Sequence, residues 1–519
     1  MRNNFILERG KEINIMKITY NVKSEIRRRI RYLMSTFGKG IIPEKTLMAT
    51  LGAAKRQPTY LFEPVFIQMF GDKCKQYEIQ DVKQEAINLR TKTVEQLLND
   101  RIVTLDPDRV EKILTKVDQL FELTGKKFKP ITPEESFDYL PGNTSSGFPN
   151  FITPKNRERN KIMEWIGRLN NCFNNIPKLS QFLVTTISWR SQMRKSGIKF
   201  RQIFVIPQLI QVIEGMFFKP FLDHFISTKT SYSVGNTWMD NRDIYINHRD
   251  NGFWSIGTDF SQFDISVMNI LIMIFYRWLK RHLRIETKFY DTLFRLIEDY
   301  VLSCDIVTSY NNQSCLVSKQ RGVMSGSVFT NFLDTFVNCF VTLYSLDVSG
   351  LNIDDFDFNF MGDDSLITCK NKSLNKDLVL EVLTHNVKCI FDMTISPEKS
   401  LTFTPEDRYI YYLGYYFNDR EKLFDEELTI RKLIMSERFI PETVLSEKER
   451  LLSKLCSLSF VCTDGWKFFD KHVKTLMNIV GVDELPQYYI DLTESDIQSF
   501  DLTRRKKIVD NKYTGWMYC

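Results

Sequence analysis

The chain has 519 residues and a mass of 61.3 kDa, enough to bury a large core and to divide into several subdomains. Hydrophobic residues make up 43% and charged residues 26% of it, which is ordinary for a globular protein and excludes a low-complexity chain. The net charge of +6 is small for a nucleic-acid-binding protein, so any basic surface has to be local.

Cysteine usage and hydropathy narrow the class further. Ten cysteines are scattered without a CxxC pair, which predicts free thiols in a reducing compartment and no zinc site. The N-terminus lacks the apolar core of a signal peptide. The longest apolar run, 265–279, is too short and too polar to span a bilayer, so we expect no membrane partner.

The first third of the chain is punctuated by loops and helical patterns. Residues 1–50 are basic and mixed in character, and helix-periodic stretches follow at 94–103 and 109–123. The strand pattern IKFRQIFV (198–205) alternates Lys199 and Arg201 with apolar residues, so both cations point the same way. The cations just upstream fit either a nucleotide tunnel or a solvated basic face; they are Arg190, Arg194 and Lys195.

A first acidic site follows the segment FWSIGTDF (253–260), which reads as a strand ending near Asp259. Asp264 stands five residues later, at the mouth of the apolar, helix-periodic run 265–279. An Asp at a helix start often caps the helix, and that is one reading of Asp264. A carboxylate at the end of a strand has no such simple explanation.

The next segment, 320–340, combines a small-residue loop with a helix. Ser325 and Gly326 lie in the loop, and the helix is predicted to begin near Ser327. Thr330, Asp334 and Asn338 then form one polar stripe at four-residue spacing. The other face carries four phenylalanines suited to burial: Phe329, Phe332, Phe336 and Phe340. The stripe fits either a solvated surface or contact with a polar ligand such as a ribose.

A hairpin is predicted where FDFNFM (356–361) and SLITC (365–369) flank Gly362, Asp363 and Asp364. Adjacent carboxylates repel each other and persist mainly where a cation neutralises them. If the strand before Asp259 pairs with this hairpin, Asp259 faces Asp363. Two carboxylates from different strands could then hold two Mg²⁺ ions about 4 Å apart.

The ordered set of motifs resembles motifs A, B and C of viral RNA-dependent RNA polymerases, most similar to those of small double-stranded RNA viruses, picobirnavirus first and partitivirus second. Four further segments resemble motifs G, F, D and E of that family, so the resemblance covers 143–417; they are NTSSGFPN (143–150), IKFRQIFVIPQ (198–208), SPEKS (396–400) and YYLGYYF (411–417).

The resemblance implies roles for individual residues. Asp259, Asp363 and Asp364 would be the catalytic carboxylates that bind two Mg²⁺ or Mn²⁺ ions, with Asp364 the weaker ligand, and Lys399 would be the general acid for the leaving pyrophosphate. Ser145, Ser146 and Gly147 would line the template entry. The nucleotide would be bound by Lys199, Arg201, Asp264, Ser325, Gly326, Thr330 and Asp334.

The implied fold is α+β: a cupped right hand with closed fingertips, an RRM-like palm of antiparallel sheet plus helices, and a helical thumb. Residues 1–50 would bridge fingertips and thumb. The fingers would comprise 51–250 and 266–319, the palm 251–265 and 320–420, and the thumb and tail 421–519. The aromatic tail at 511–519 would be a docked terminus or would support an initiating nucleotide.

The implied activity is primer-independent, template-directed synthesis that transcribes and replicates a viral genome. The partners would be single- and double-stranded RNA, NTPs and viral capsid protein. The enzyme would be monomeric and act in host cytoplasm, inside the virion. Asp334 departs from the asparagine common in positive-strand viruses, which puts ribose discrimination in doubt because a carboxylate only accepts hydrogen bonds.

The sequence disfavours three rival functions. A reverse transcriptase usually places an aromatic steric gate near the position of Asp264, whereas Asp264 would accept a ribose hydroxyl. A catalytically dead packaging scaffold usually loses a metal ligand, and Asp259, Asp363 and Asp364 are all present. A plain RNA-binding module is disfavoured, since clustered carboxylates repel RNA unless metal ions intervene.

Overall fold

The structure is a computed structural model that describes residues 18–37, 46–54, 61–70, 82–99, 101, 103–140, 145–150, 159–171, 176–194, 197–236, 238–436, 446–459 and 463–484. The helices are α1 (Val22–Phe37), α2 (Thr46–Ala54), α3 (Pro64–Phe70), α4 (Val82–Leu98), α5 (Pro107–Leu120), α6 (Pro133–Tyr139), α7 (Arg159–Asn171), α8 (Ile176–Leu179), α9 (Gln208–Ser227), α10 (Trp238–Asp250), α11 (Phe263–Ser266), α12 (Asn269–Arg281), α13 (Lys288–Ser303), α14 (Thr330–Val348), α15 (Lys376–Phe391), α16 (Glu426–Ile434), α17 (Glu447–Ser459) and α18 (Thr463–Val480).

The strands are β1 (Ile18–Thr19), β2 (Leu61–Phe62), β3 (Val184–Arg194), β4 (Gly197–Val205), β5 (Trp254–Thr258), β6 (Asp305–Tyr310), β7 (Gln313–Ser318), β8 (Phe356–Met361), β9 (Asp364–Cys369), β10 (Leu401–Phe403), β11 (Ile410–Tyr412), β12 (Tyr415–Phe417), β13 (Lys422–Leu423) and β14 (Met435–Ser436). The predicted strands at 253–260, 356–361 and 365–369 are all present, and so is the helical pattern after 420.

A four-stranded antiparallel sheet in the order β10-β5-β9-β8 forms the centre of the fold. Alternation along β9 gives the sheet two different faces. Ile367 belongs to the main hydrophobic core, whereas Leu366 packs in a smaller cluster with Tyr412 and Phe417. Helices α14 and α15 pack against the sheet through β8 and β5 respectively.

A second sheet, of order β1-β7-β6-β3-β4, carries the basic strand β4 at one edge. Its pairs are antiparallel except β3 with β6. The register of the long β3–β4 hairpin sets Arg190 opposite Arg201 and Gln192 opposite Lys199. Paired residues project to the same side of a sheet, so Arg190 lies on the face that carries Lys199 and Arg201.

The main core is built largely from phenylalanine. Phe332 of α14 lies at its centre, with the ring of Tyr232 stacked at 5.7 Å and those of Phe225 and Phe275 at 5.1 and 5.4 Å. The four phenylalanines predicted for the buried face of this helix are all fully buried. Core packing therefore accounts for this face of α14, as its spacing predicts.

The C-terminal helices α16, α17 and α18 have a hydrophobic cluster of their own, which also contains Phe66 and Phe70 of α3. Strand β14 pairs with β2 in the same region. Residues 61–70 thus pack with helices that lie more than half the chain away in sequence.

The hydropathy of the helices and the state of the cysteines can be given for the described residues. No helix in them is long and apolar enough to cross a membrane. The cysteines within the described ranges are free thiols, and all but Cys389 are buried. The aromatic tail at 511–519 lies outside the described residues.

Four predicted helix boundaries are wrong, among them the end of the helix expected over 109–123, which lies at Leu120 in α5. The helix expected over 94–103 ends at Leu98 in α4, and the apolar run 265–279 is split into α11 and α12. Backbone N–H groups of the following loop cause the split, because Gly322 donates to the Val267 carbonyl and Val323 to that of Asp264, both at 2.7 Å. The helix expected from Ser327 begins at Thr330.

Candidate active site

The predicted hairpin brings Asp363 and Asp364 to the tip of β8 and β9. Gly362 has a φ of 63°, the left-handed conformation that favours glycine. Helix α14 holds this turn from below: the Gly362 N–H donates to Thr335 Oγ1 at 2.8 Å, and Asn338 Nδ2 donates to the carbonyls of Gly362 and Asp363 at 3.1 and 3.0 Å. Part of the predicted polar stripe thus supports the acidic turn, a role that sequence reasoning missed.

Asp259 directly follows β5, which pairs with β9 as predicted. The last registered pair is Thr258 with Ser365, whose hydroxyls are hydrogen-bonded, so the next step brings Asp259 opposite Asp364. The prediction that Asp259 faces Asp363 is therefore wrong by one residue, and Asp363 lies beside that pair in the turn. The backbone of Asp259 is held on its other side, since its N–H donates to Ser400 Oγ at 3.2 Å and its carbonyl accepts from the Ser396 N–H at 2.8 Å. Both serines belong to the segment expected as motif D.

The three carboxylates are close enough to influence one another's protonation. Burial and the charges of Asp363 and Asp259 raise the pKa of Asp364 to about 7. Burial and Asp259 also raise the pKa of Asp363, while Arg201 and Lys199 oppose that rise. Each carboxylate keeps some exposure to solvent. The electrostatics therefore place a negative cluster opposite the cations of β4.

These residues suit a hard divalent cation that is only partly bound by protein. No cluster of three or more His, Cys, Asp or Glu side chains within the described ranges is arranged to hold a metal by itself. Mg²⁺ commonly takes one or two carboxylates and completes its shell with water and substrate phosphates. The charges of Asp259 and Asp363 repel each other, and both side chains are open to solvent. The two residues therefore fit that pattern.

Asp264 is not the cap of the long apolar helix. It lies within α11, and α12 has Met268 at its N-cap position without a side-chain cap. The Asp264 side chain is exposed to solvent, although protein lies on most sides of it. That surrounding protein and the charge of Asp363 raise its pKa to about 6. Its carboxylate is therefore accessible to a ligand.

Asp334 is buried in α14 and faces the acidic cluster. Its Oδ1 has no hydrogen-bond partner among the described residues. Burial, then the charges of Asp264 and Asp363, raise its pKa well above the usual value, which favours the protonated form. A protonated carboxyl can donate as well as accept, as an asparagine amide can. A protonated Asp334 can therefore form the hydrogen bonds that an asparagine would form at this position.

The loop before α14 is fastened to β4 and to α9. Ser325 Oγ accepts from the Phe204 N–H at 3.1 Å, and a Cβ on Gly326 would overlap the Phe204 carbonyl. Thr330 Oγ1 lies 2.8 Å from the carbonyls of both Met324 and Ser327, so it closes the loop. Ser325, Gly326 and Thr330 therefore shape the loop in this structure.

Glu214 is a supporting residue that the sequence interpretation missed. It is completely buried in α9, where its carboxylate accepts from Ser327 Oγ at 2.7 Å and from the Val328 N–H at 2.8 Å. Nearby, Gln211 Nε2 donates to the Gly326 carbonyl at 2.7 Å. The one available signal was a carboxylate within the run 209–218, whose other residues are apolar except for Gln211.

Replacement of Gly326 by alanine is expected to push this loop away from β4. We expect about 1–3 kcal/mol of destabilisation from the overlap of the added Cβ with the Phe204 carbonyl. Chemical denaturation measures this loss of stability. Gly167→Ala is the matched control, since nothing lies within 4 Å of a Cβ there. Equal behaviour of both variants would contradict this account.

The remaining predicted residues occupy three parts of the structure. Lys399 is exposed, with its Nζ 3.7 Å from Asp259 Oδ1, and Lys199 and Arg201 are exposed on β4. The loop 145–150 is fastened through Ser146, whose buried hydroxyl donates to the Asn150 carbonyl at 2.6 Å. A Cβ on Gly147 would overlap the Ile206 carbonyl, whereas Ser145 is exposed. Lys195 lies outside the described residues.

The chain is similar to known proteins in both sequence and fold. The family model described as viral RNA-dependent RNA polymerase matches residues 72–466. The RNA-directed RNA polymerase of Cryptosporidium parvum virus 1 (strain KSU-1) is 28% identical over 258 residues, which are 47% of this chain and 46% of that protein. The chain thus spans about half the length of this curated relative.

Two solved structures of the RNA-dependent RNA polymerase of a human picobirnavirus share the fold. An insertion-loop deletion mutant has a TM-score of 0.57 at 14% identity, covering 88% of this chain and 85% of that chain. The second has a TM-score of 0.55, also at 14% identity, covering 87% and 81%. At this identity the likeness concerns the fold alone.

Proposed function

Because the chain belongs to the family of viral RNA-dependent RNA polymerases, we propose that it copies an RNA template into RNA and thereby transcribes and replicates a viral genome. The observation that carries the proposal is the meeting of Asp259, Asp363 and Asp364 at one edge of the central sheet, with Lys199 and Arg201 acting on the same charges. An anionic metal-binding edge opposite cations suits a nucleoside triphosphate.

The proposed division of labour follows a right hand. Residues 51–250 and 266–319 act as fingers, 251–265 and 320–420 as palm, and 421–519 as thumb, with the first 50 residues completing closed fingertips. The packing of α3, a helix of the proposed fingers, with α16–α18 of the proposed thumb supports contact between fingers and thumb.

The chemistry rests on positioning and charge. Asp259 and Asp363, with Asp364 as weaker ligand, would hold Mg²⁺ or Mn²⁺ ions, which when bound activate the primer hydroxyl and neutralise charge on the triphosphate. Lys199 and Arg201 bind the triphosphate, with Arg190 beside them on the same face of the hairpin. Lys399, a short distance from Asp259, donates a proton to the departing pyrophosphate.

The ribose is bound by the acidic residues behind the triphosphate site. Asp264 accepts a hydrogen bond from a ribose hydroxyl, and Asp334 and Thr330 support it from α14. This arrangement favours ribonucleotides, which distinguishes the proposal from a reverse transcriptase. Ser145, with Ser146 and Gly147 shaping its loop, contacts the template strand.

The wider setting is part of the same proposal. The enzyme is a monomer that starts without a primer and works inside a capsid in host cytoplasm, in contact with capsid protein. A catalytically inactive packaging scaffold is the alternative, and it is disfavoured by the retention of all three carboxylates.

The first experiment is labelled NTP incorporation on single-stranded RNA without primer, with Mg²⁺ and with Mn²⁺, and with dNTPs in parallel. We expect full-length RNA from NTPs alone. Product that requires an added primer would remove the primer-independent start but leave the polymerase. No product under any condition, from folded protein that still binds RNA, would favour the scaffold.

Replacing Asp264 with alanine is expected to lower kcat/KM for NTPs about 10- to 100-fold while changing that for 2′-dNTPs little, because a charged hydrogen bond contributes about 1.5–3 kcal/mol. The measurement is the ratio of the two substrates. Asp264→Asn is the matched control, since its amide oxygen still accepts and should preserve much of the preference. An equal loss for both substrates would exclude ribose recognition by Asp264.

A further inference from the structure

The exposed face of α1 carries a row of cations that the proposed chemistry does not use. Lys23, Arg27 and Arg31 follow one another at four-residue spacing, so they lie along one side of the helix about 6 Å apart. All three side chains are exposed, and none forms an ion pair or hydrogen bond with another described residue. We call this set the α1 basic row.

The other two arginines of the same helix, of which Arg28 is exposed and Arg29 buried, have partners of their own. Arg28 pairs with Glu25 at 2.6 Å and lies over the ring of Phe182 at 5.0 Å. Arg29 is buried and binds both Glu25, at 2.8 Å, and Asp305. Glu25, the helix's own carboxylate, is thus engaged by Arg28 and Arg29. The helix is firmly anchored, and the basic row keeps its charge uncompensated.

The position of α1 relates this row to the loop 145–150. At the C-terminal end of α1, Phe37 stacks on Trp165 with centroids 4.6 Å apart. Helix α1 packs against α2, whose Thr46 Oγ1 donates to the Pro149 carbonyl at 2.8 Å. The basic row therefore lies on the neighbour of a helix that directly contacts this loop.

We propose that the α1 basic row binds the phosphate backbone of the single-stranded RNA template before the strand passes the loop 145–150. This inference rests on the proposed RNA-copying function. Cations repeated about 6 Å apart along a rigid helix can each meet a successive phosphate of an extended strand, without regard to sequence.

The test removes the row and measures binding without NTPs. Lys23→Gln, Arg27→Gln and Arg31→Gln are combined in one variant. Its charge-matched control combines Arg168→Gln, Arg249→Gln and Arg281→Gln, which all sit in exposed ion pairs. Affinity for a fluorescent 30-nucleotide single-stranded RNA is then titrated against salt.

Loss of three phosphate contacts should reduce the slope of log affinity against log salt by about 2, while the control keeps the wild-type slope. At 0.1 M salt we expect affinity to fall about 10- to 100-fold. In incorporation assays, KM for a long template should rise while KM for a template too short to reach α1 stays unchanged.

Equal slopes for the row variant and its control would overturn the proposal, and retained RNA binding with lost binding of capsid protein would assign the row to that partner. Wild-type RNA binding that depends on the row, without any NTP incorporation, would instead refute only the polymerase activity. If the triple variant fails to fold, Arg27→Gln alone should lower the slope by about 0.7.

Discussion

Asp363→Asn is expected to reduce RNA synthesis by about a thousandfold or more. The substitution removes a charge at the point where Asp259 and Asp364 converge, and a bound metal contributes several kcal/mol to charge stabilisation at such a site. A second readout does not depend on activity. Millimolar Mg²⁺ should raise the Tm of the wild-type protein by relieving carboxylate repulsion, and it should raise the Tm of the variant less.

The matched control for Asp363→Asn is Asp357→Asn, on the same hairpin but away from its tip. Asp357 is about half exposed and pairs with Lys370 at 2.9 Å, so its loss should change both synthesis and the Mg²⁺ response little. Near-normal synthesis by Asp363→Asn, or an Mg²⁺ response equal to that of Asp357→Asn, would refute Asp363 as a metal ligand.

Glu63→Gln is expected to destabilise the protein by about 3–5 kcal/mol. Glu63 is completely buried where β2 meets the C-terminal helices, and it binds Arg450 at 2.8 Å and Lys454 at 2.7 Å. Burial lowers the pKa of Lys454 to about 8 even with Glu63 present. Without the carboxylate, two buried cations would face each other, so α17 should open readily. Thermal unfolding and hydrogen exchange of α17 measure this.

Glu111→Gln is the control for Glu63→Gln, because it breaks an ion pair of similar length in an exposed setting. Glu111 and Arg281 are 2.6 Å apart and each is nearly half exposed, so the expected cost is about 1 kcal/mol or less. Similar losses of stability in the two variants would mean that the buried cluster around Glu63 stabilises the packing of α3 on α17 no more than an exposed ion pair would.

The predictions of secondary structure that are confirmed rest on local sequence patterns. The alternation of Phe356, Phe358 and Phe360 together with Gly362 predicted the hairpin, because strand period and turn conformation depend on neighbouring residues alone. The spacing of the phenylalanines likewise predicted the buried helical face that contains Phe332. The failures came where distant backbone groups compete, as at Val267, whose carbonyl accepts from Gly322 and thereby separates α11 from α12.

Local sequence patterns did not predict the contacts that support the site. Glu214 lies next to apolar residues in the sequence of α9, and only the folded chain brings it to Ser327 and Val328. The state of Asp334 likewise depends on burial, since the same carboxyl in water would be ionised. The pairing of Arg190 with Arg201 required the register of the β3–β4 hairpin.

By itself, the sequence determined the family, the order of the motifs and the identity of the acidic cluster, since these depend on residue type and spacing along the chain. The tertiary structure alone decided which carboxylates share a sheet edge, which side chains hold the turn at Gly362, and that residues 61–70 join the C-terminal helices. Those contacts join segments up to about 390 residues apart, and their energy comes from burial that no local pattern records.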